Sequence, residues 1–403
     1  MALLPVADAI AQILRGVEPL PADSVTLSEA LGCVLAQDLV AQRTQPPAAL
    51  SAMDGYAVRA DDVAKAPVTL TVIGEAAAGH PFAAEIKAGQ CARIFTGGVL
   101  PRGTDTVVIQ ENASRQGYRV TIDTASTRGR HVRAAGIDFK QGDVLLERGH
   151  RLSDRDLMLA AAMNYPSLNV HRLPTVAILG TGDELVPPGS SPNDGEIIYS
   201  SGFALAALIR AEGAHVVELG VARDNIEDIV ACIRRAREAK ADVLLTTGGA
   251  SVGEHDLVQK ALAAEGLDLS FWKIAMRPGK PMMHGRLGAM HVLGVPGNPV
   301  SSYVCTFLFL LPLIRQLAGR SDLHAQPQAA KLGRGLPQND ERAEYMRATL
   351  AKDADGGWVA TPFPNQDSSL MAPLAKADCL VIRDAHASTA PAGSHCVILK
   401  LAL

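Results

Sequence analysis

Residues 174–318 decide the fold, because four apolar runs alternate there with helical segments. The runs are TVAILG (175–180), HVVELGV (215–221), DVLLTTGG (242–249) and MHVLGV (290–295). Such runs, ending in glycine or a polar turn, are typical of buried strands. Helical spacing separates or follows them over 203–212, 226–239, 257–265 and from about Pro299 onward. This alternation predicts a central doubly wound α/β domain with a parallel sheet, which we place at 174–326.

The segments on either side of this domain predict β structure. Residues 42–140 are expected to form a β-rich insertion domain, with strands in VTLTVIGEA (68–76), CARIFTG (91–97), DTVVIQE (105–111) and YRVTID (118–123). Residues 327–403 are expected to form a small C-terminal β-barrel from MRATLA (346–351), WVATPF (358–363), CLVIRD (379–384) and HCVILKL (395–401). The sequence therefore predicts a multidomain protein of class α/β plus β.

Two shorter segments complete the chain. Residues 1–41 predict an N-terminal helical segment, with one helix over 6–15 and a second over 26–40. We expect part of it to pack on the α/β domain and part on a linker domain at 141–173. That linker domain should contain one helix from Ser153, its N-cap, through Asn164.

Composition excludes several classes of function. The 403 residues carry a net charge of −4, which offers no basic field for nucleic acid. The six cysteines are scattered without metal-ligand spacing, so a reduced cytoplasmic protein is expected. The N-terminus has no basic region or cleavage site of a signal peptide. The most apolar run, Val300–Ile314, is too short to span a bilayer and predicts a buried helix.

Polar loops follow the predicted strands of the α/β domain. They are TGDEL (181–185), RDN (223–225), TTGGASVGEHD (246–256) and PGNPVS (296–301). Ligands bind at the carboxyl ends of the strands in such sheets, so these loops should meet at one edge. Glycine turns that lead into helices suit a phosphate or an oxyanion.

The carboxylates of Glu184, Asp224 and Asp256 would repel an anion unless a divalent cation lay between them. Oxygen ligands with open water positions suit Mg²⁺. Each feature alone has a simpler explanation, since Asp256 could cap a helix, Asp224 could stabilise its own turn, and a glycine pair is often a plain turn. The functional interpretation depends on the loops being brought together.

A cationic loop lies at 277–281 (RPGKP), with Lys273 just before it. Paired cations on a stiff turn suit a tetrahedral dianion such as molybdate or phosphate, although a solvated surface turn is the alternative. Downstream, Arg342 and Arg347 and the stretch QDSS (366–369) could belong to the same site or to an exposed strand and turn. In the β-rich domain, SAMDGYA (51–57) and RIFTGG (93–98) offer a carboxylate, a hydroxyl and open amides, with plain turns as the alternative.

Taken together, these passages resemble the molybdopterin molybdenumtransferase family, which includes bacterial MoeA and the E domain of gephyrin. SAMDGYA, RIFTG, TGDEL, TGGASVGEHD, RPGKP and PGNPVS occur in the family's order over some 250 residues. The resemblance implies a homodimer of four-domain subunits, with an α/β domain similar to MoaB and Mog. It also implies a reaction in which adenylylated molybdopterin and molybdate give molybdenum cofactor and AMP with Mg²⁺, and a cleft shared between subunits.

The resemblance further implies roles for individual residues. Asp54 and Thr96 would line the cleft from the second subunit and act in catalysis. Glu184, Asp224 and Asp256 would also act in catalysis and would hold the metal. Pterin and nucleotide binding would fall to Asp138, Gly248, Gly249, Ser251, Pro296, Gly297, Asn298 and Pro299. The molybdate pocket would contain Arg277, Lys280, Pro281, Ser301, Arg347 and Ser368. Family members often have lysine where Arg277 stands, so the hydrogen-bond geometry there differs.

The implied chemistry is positioning and charge neutralisation, because no nucleophile with a partnered base stands out. The alternatives are a molybdopterin adenylyltransferase, which would consume ATP, and a gephyrin-like scaffold, which would bind receptor tails. Apo-molybdoenzymes and other enzymes of the pathway are expected partners, and nucleic acid and membranes are not. Molybdate and tungstate stay open alternatives, since both are tetrahedral dianions.

Overall fold

The computed structural model of the protein describes residues 3–248 and 257–401. The first 150 residues contain one α-helix and many short strands. These are α1 (Val6–Leu14), β1 (Ala22–Thr26), β2 (Val34–Leu35), β3 (Leu39–Val40), β4 (Leu50–Ser51), β5 (Gly55–Val58), β6 (Val68–Ala76), β7 (Gln90–Ile94), β8 (Thr106–Ile109), β9 (Ala113–Gln116), β10 (Arg119–Ile122), β11 (Val132–Arg133) and β12 (Val144–Leu146). Strands β5 to β10 form one six-stranded sheet in the order β8-β5-β7-β6-β10-β9.

A small linker region follows, with α2 (Asp154–Ala162) and β13 (Ser167–His171). Helix α2 begins at a capping box, in which the Ser153 and Asp156 side chains each bind a backbone N–H of the other residue. Strand β13 lies between β1 and β2 in an antiparallel sheet. The predicted helix from Ser153 is therefore confirmed.

The predicted second helix over 26–40 was wrong. Residues Leu27–Glu29 make only a single 3₁₀ turn, after which Gly32 takes a φ of +77°. The chain then pairs as β2 with β13 and as β3 with β12. These strand pairings override the local helical preference because they bury Leu35 and Leu39 in the same core as α2. The N-terminal segment thus contains one helix followed by short strands.

The α/β domain contains the strands and helices that its sequence predicts, together with additional strands. Its elements are β14 (Thr175–Thr181), β15 (Leu185–Val186), β16 (Ile197–Ile198), α3 (Ser201–Ala211), β17 (His215–Ala222), α4 (Ile226–Glu238), β18 (Val243–Thr247), α5 (Leu257–Ala264), β19 (Asp268–Trp272), β20 (Met276–Arg277), β21 (Met283–Leu287), β22 (Met290–Val295), α6 (Pro299–Cys305) and α7 (Leu311–Leu317). The main sheet has the order β17-β14-β18-β22-β21-β19. Its first four strands are parallel, and β21 and β19 extend it in antiparallel fashion.

Helices cover both faces of this sheet. Helices α1, α3, α6 and α7 pack on one face, and α4 and α5 pack on the other. Strand β14 serves both cores, with Val176 and Ile178 turned to the first and Ala177 and Leu179 to the second. This is the predicted doubly wound arrangement, so all four parallel strands end at the same edge of the sheet.

Helices α6 and α7 join through a π-helical turn into one apolar helix, Pro299–Leu317. By length and composition alone this helix could span a membrane, but 78% of its most apolar window is buried inside the protein. It packs against α1 and α3. The predicted buried helix is confirmed.

The C-terminal region folds as a closed five-stranded barrel, as predicted. Its elements are β23 (Gln328–Leu332), β24 (Ala343–Lys352), β25 (Trp358–Pro362), α8 (Met371–Ala375), β26 (Cys379–Arg383) and β27 (His395–Lys400). The order β24-β25-β23-β27-β26 closes through a further pairing of β24 with β26. Strand β20 adds to β24 and joins the barrel to the α/β domain.

Candidate functional site

Three backbone turns meet at the carboxyl edge of the α/β sheet. Gly248 has a φ of +93°, and a methyl group placed on it would lie 2.6 Å from the Thr181 carbonyl oxygen. A methyl group placed on Gly297 would lie 3.5 Å from the Gly248 Cα. The ends of β14, β18 and β22 are thus in close contact, and only glycine fits at Gly248. The structure therefore brings together three of the four loops that the sequence singled out.

The fourth loop joins them through Asp183. The Asp183 carboxylate accepts a hydrogen bond of 3.1 Å from the backbone N–H of Asp224. The side chain of Glu184 folds back over Gly182, where a methyl group would lie 2.5 Å from its Oε2 atom. Glu184 and Asp224 are both exposed, on adjoining loops. Asp183 belongs to the TGDEL motif, but the sequence analysis gave it no role. No sequence pattern showed that its side chain would join the two loops.

Glu184 and Asp224 provide oxygen donors of the kind Mg²⁺ prefers. Among residues 3–248 and 257–401, no group of three or more His, Cys, Asp or Glu side chains could hold a metal ion. The third expected ligand, Asp256, lies outside the described residues, as do Gly249 and Ser251. Two carboxylates still fit the usual mode of Mg²⁺, which is bound by one or two carboxylates together with substrate phosphates and water.

Tyr199 lies behind these turns, and the sequence analysis missed it. Its ring occupies the space beside Gly180 and Gly202, where methyl groups would lie 2.9 and 2.4 Å from its atoms. Its hydroxyl is hydrogen-bonded to the Thr247 side chain, and burial raises its pKa. Its backbone N–H donates to the Val186 carbonyl at 2.8 Å. A tyrosine next to two strand-forming isoleucines was the only available sequence signal.

The PGNP loop connects the sheet edge to the C-terminal region. Asn298 is the N-cap residue of α6, and its side chain makes no capping bond to the helix; its Nδ2 atom instead donates to the Ser368 hydroxyl at 2.9 Å. The N–H of Val300 donates to the Ser368 carbonyl at 3.1 Å. Pro299 is the first residue of α6, and Ser301 is buried one position beyond Val300. Ser368 is therefore hydrogen-bonded to the start of the helix that carries Ser301.

The RPGKP loop packs against the same helix. A methyl group placed on Gly279 would lie 2.6 Å from Cys305 Sγ, and Cys305 lies one turn after Ser301. Lys280 is exposed, and within the described chain it makes no ion pair, whereas Lys273 lies 4.8 Å above the ring of Trp272. Lys280 is thus the available cation of this loop, with Pro281 following it.

Arg277 and Arg347 are already engaged by protein groups. Arg277 donates to Glu344, with its Nη2 atom 3.0 Å from Oε2, and also lies 3.6 Å from Asp340. Arg347 is only 1% exposed, and its guanidinium donates to the Leu370 carbonyl at 2.7 Å and the Asp367 carbonyl at 2.9 Å. In this arrangement Arg347 shapes the loop that carries Ser368.

A separate cluster lies in the β-rich domain. The Asp54 carboxylate accepts hydrogen bonds from the Thr96 N–H at 2.7 Å and the Thr96 hydroxyl at 2.8 Å. These bonds hold the pKa of Asp54 below its usual range. Strand β5 approaches β8 so closely that a methyl group on Gly55 would lie 1.9 Å from the Val108 carbonyl oxygen. The local fold thus fixes Asp54 beside Thr96, an exposed residue.

Asp138 lies in the same domain, in an exposed turn, and its N–H donates to the Gln45 carbonyl. No hydrogen bond or ion pair in the described part of the chain joins Asp54, Thr96 or Asp138 to the α/β sheet edge. Within one chain, the structure therefore gives two groups of site residues.

Comparisons with known proteins identify the class to which this fold and site belong. Three family models match in succession: the MoeA N-terminal region (domains I and II) at residues 4–164, a probable molybdopterin-binding domain at 177–316, and the MoeA C-terminal region (domain IV) at 329–401. A solved structure of a molybdopterin biosynthesis MoeA protein from Pyrococcus horikoshii superposes with a TM-score of 0.85 at 29% identity, covering 100% of both chains.

Curated relatives agree with these models. A molybdopterin molybdenumtransferase from Haemophilus influenzae is 32% identical over 93% of each chain. One from Nostoc is 40% identical over 67% of this chain and 63% of its own length. The chain belongs to the molybdopterin molybdenumtransferase family of molybdenum cofactor biosynthesis.

Proposed function

We propose that the protein transfers molybdenum from molybdate to adenylylated molybdopterin and releases AMP. The observation that carries this proposal is the convergence of Thr181, Gly248 and Gly297 at one sheet edge, with Ser368 hydrogen-bonded to the adjoining Asn298. A turn-rich edge suits the substrate's pyrophosphate, and the hydroxyls and Lys280 suit the molybdate dianion. The family relationship supports the same reaction.

The proposed roles follow the geometry. Gly248, Pro296, Gly297, Asn298 and Pro299 would form the phosphate and pterin side, with Gly249 and Ser251 completing the glycine turn. Lys280, Pro281, Ser301 and Ser368 would hold molybdate, with Arg277 and Arg347 shaping the loops around them. Glu184 and Asp224, with Asp256, would hold Mg²⁺, which when bound neutralises the negative charge of the phosphates.

The chain's own residues would then act by positioning. Lys280 and the hydroxyls would keep molybdate next to the dithiolene, and the glycine turns would fix the pyrophosphate for attack at phosphorus. Attack by water or by a molybdate oxygen at the pterin-side phosphorus breaks the phosphoanhydride bond, and AMP leaves with the electron pair of that bond. A Mo–O–P bond formed by the molybdate oxygen would be hydrolysed by water, which leaves the pterin phosphate and free molybdate. The dithiolene sulfurs would then bind molybdenum in place of two oxygen ligands, which leave as water with the thiol protons.

We further propose that a homodimer completes the site and that the protein acts in the cytoplasm. The exposed Asp54–Thr96 pair has no partner at the sheet edge of its own chain, within the residues described. A second copy would bring its Asp54 to this edge. The pair would then act on the same substrate from the opposite side.

The test is a defined assay with adenylylated molybdopterin, Mg²⁺ and molybdate, which follows AMP release and reconstitution of an apo-molybdoenzyme. Glu184→Gln should bind the substrate but release AMP at least tenfold more slowly, because one charge on the proposed metal is lost. Asp194→Asn is the matched control, since Asp194 is an exposed carboxylate of the same segment. Full activity of Glu184→Gln would contradict the metal role, and AMP formation from ATP alone would favour an adenylyltransferase.

A further inference from the structure

Arg93 connects the two turns that carry Asp54 and Thr96. It lies half-buried near the end of β7, and its Nη1 atom donates to the Gly55 carbonyl at 3.2 Å. Its Nη2 atom donates to Gln110 Oε1 at 2.6 Å, and the Gln110 N–H donates to the Asp54 carbonyl at 3.0 Å. The carbonyls of two consecutive residues, Asp54 and Gly55, are therefore held by the Arg93–Gln110 pair.

The Arg93 guanidinium also lies against two aromatic rings. Its central carbon is 5.2 Å from the centre of the Tyr56 ring and 4.8 Å from that of the Phe95 ring. A guanidinium at this distance is attracted to the face of an aromatic ring. Tyr56 lies two residues after Asp54, and Phe95 immediately precedes Thr96, so the contacts of one side chain reach both turns.

Strand pairing alone does not fix these turns. The paired stretch of β5 and β7 stops at Gly55 and Ile94. Asp54 is thus one residue beyond it, and Thr96 is two residues beyond it. Side-chain contacts therefore set the geometry of the two turns, and a planar guanidinium with its donors in a fixed fork can hold two acceptors at once.

We propose that Arg93 is a positioning residue of the reaction, which ties the Asp54 turn to the Thr96 turn; the inference rests on the proposed function. Arg93 does not touch the substrate in this arrangement, because Gly55, Gln110 and the two rings take up its guanidinium. It acts through Asp54, whose carboxylate keeps one orientation only while the two turns stay together. A displacement of about 1 Å at such a group can lower the rate about 100-fold.

The positive charge of Arg93 has a second effect on Asp54. The hydrogen bonds from Thr96 lower the pKa of Asp54 most, and the nearby Arg93 charge lowers it further. The segments hydrogen-bonded to the Asp54 loop carry three other charged or titratable side chains, which are Glu111, His131 and Arg133. All three are unchanged when Arg93 alone is replaced, so a change in the titration of Asp54 can then be assigned to Arg93.

The experiment replaces Arg93 in two ways. Arg93→Gln removes the charge and the two-point contact, so it should lower kcat for AMP release at least tenfold, with the KM for adenylylated molybdopterin within threefold of the wild type. The acidic limb of its kcat/KM profile should move to higher pH. Arg93→Lys keeps the charge, so it should leave the limb in place and lose less of kcat than Arg93→Gln does. Arg119→Gln, at an exposed arginine of the same sheet, is the matched control and should leave kcat, KM and the limb unchanged.

Three results would overturn the proposal. A kcat for Arg93→Gln within twofold of the wild type would show that Arg93 does not position Asp54. A raised KM at unchanged kcat would make Arg93 a substrate-binding residue instead. An acidic limb that stays in place in Arg93→Gln, or that moves equally in Arg93→Lys, would remove the effect of the charge.

A second variant serves if Arg93→Gln does not fold. Gln110→Ala, at an exposed side chain, removes only the part of the link that runs from Arg93 through Gln110 to Asp54. It should lower kcat three- to tenfold at constant KM, because the Asp54 turn keeps the bond between Arg93 and Gly55. A kcat within twofold of the wild type then counts against the proposal.

Failure of the proposed function would look different, since the wild type itself would release no AMP. In that case amide hydrogen exchange, followed by mass spectrometry on fragments that contain residues 51–56 and 93–98, decides the matter. Faster exchange of both fragments in Arg93→Gln than in Arg119→Gln and the wild type supports the link between the two turns. Equal exchange in all three proteins refutes it.

Discussion

At the scale of single residues, the site depends on side chains that hold backbone turns in place. Tyr199 fills the space left by two glycines and binds Thr247, the residue before the Gly248 turn. Asp54 is held by both donors of Thr96. The positions of these side chains determine where the reactive groups lie. Substitutions that remove a single hydroxyl therefore test whether each side chain positions the site.

Tyr199→Phe removes one hydroxyl and keeps the ring between Gly180 and Gly202. We expect a loss of about 1 kcal/mol in the free energy of unfolding and a lower kcat/KM, because the Thr247 side chain loses its partner. Thermal melting and the AMP-release assay measure these effects. Tyr118→Phe, at a tyrosine that is 79% exposed, is the control. Equal kcat/KM in both variants would show that the hydroxyl does not position the turn.

Thr96→Val removes the hydroxyl donor to Asp54 and leaves the backbone donor. Both donors lower the pKa of Asp54, so losing one raises it. If ionised Asp54 takes part in the reaction, the acidic limb of the kcat/KM profile should move to higher pH. Thr69→Val, which affects a threonine pair elsewhere in the same domain, should leave that limb in place. An unmoved limb in Thr96→Val would argue against a role for the Asp54 charge.

At the scale of helices and strands, the Gly248 turn links three strand ends. Gly248→Ala should abolish AMP release and destabilise the protein by about 2–4 kcal/mol, since it combines positive φ with contact against Thr181. Gly220→Ala has a similar φ of +85° with no atom near the new methyl group, so it should cost only about 1–2 kcal/mol and keep activity. Chemical denaturation measures the free energy of unfolding of both variants. Equal losses of stability would show that the contact with Thr181 adds nothing to the cost of positive φ.

Strands β21 and β22 carry a buried histidine pair. Arg286 donates to His291 at 2.6 Å, and His291 in turn lies 3.2 Å from His284 Nε2. Burial, with the nearby Arg286 charge, lowers the pKa of His284 to about 4 and that of His291 to about 3. Both histidines are therefore neutral in the folded protein at pH values where they are protonated in the unfolded chain.

This pair should make the protein sensitive to acid. The unfolded chain binds more protons below pH 6.5, so stability falls as the pH drops from there toward 4. By pH 5 the loss is up to about 2 kcal/mol for each histidine. His284→Gln keeps an acceptor for His291 and should reduce the slope of stability against pH by about half, as measured by denaturation between pH 5 and 7.5. His80→Gln, at an exposed histidine, is the control. If the slope of stability against pH is the same in both variants, the acid sensitivity does not come from the buried histidine pair.

Sequence patterns predicted the elements that are locally consistent and missed those that depend on partners. The parallel strands and their helices were found because each is a long apolar run or a clear helical period. Strands β19 and β21 were missed, since their short and partly polar sequences are strands only through pairing at the sheet's antiparallel side. The helical pattern over 26–40 gave way to strand pairing for the same reason.

Candidate site residues followed a similar rule. Motif positions on strand ends, such as Gly248 and Gly297, meet because the sheet is parallel, and that could be foreseen. The engagement of Arg347 by backbone carbonyls could not, because its partners come from a loop 18 to 23 residues further along. Tyr199 escaped notice because it acts through Thr247, which lies on a different strand.

At the scale of the whole molecule, the division of the site residues between two regions leads to a prediction about assembly. Asp54→Asn and Lys280→Gln should each abolish AMP release. If each site takes Asp54 from one subunit and Lys280 from the other, unfolding and refolding the two variants together should restore about a quarter of wild-type activity, since half of the random dimers contain one intact site. Light scattering should show a dimer, and mixtures that stay inactive would place both residues in one subunit's site.

Arg347 ties the loop that carries Ser368 to the barrel, and Ser368 is in turn hydrogen-bonded to Asn298 of the α/β domain. Arg347 belongs to β24, a strand that closes the barrel, and its guanidinium binds the loop that carries Ser368. The barrel cannot open without releasing that loop, although the α/β core could survive the event. On heating, molybdate binding should therefore be lost as the barrel unfolds, while most of the helical circular dichroism signal persists. The barrel, far from the sheet edge in sequence, would then set the upper temperature at which the enzyme works.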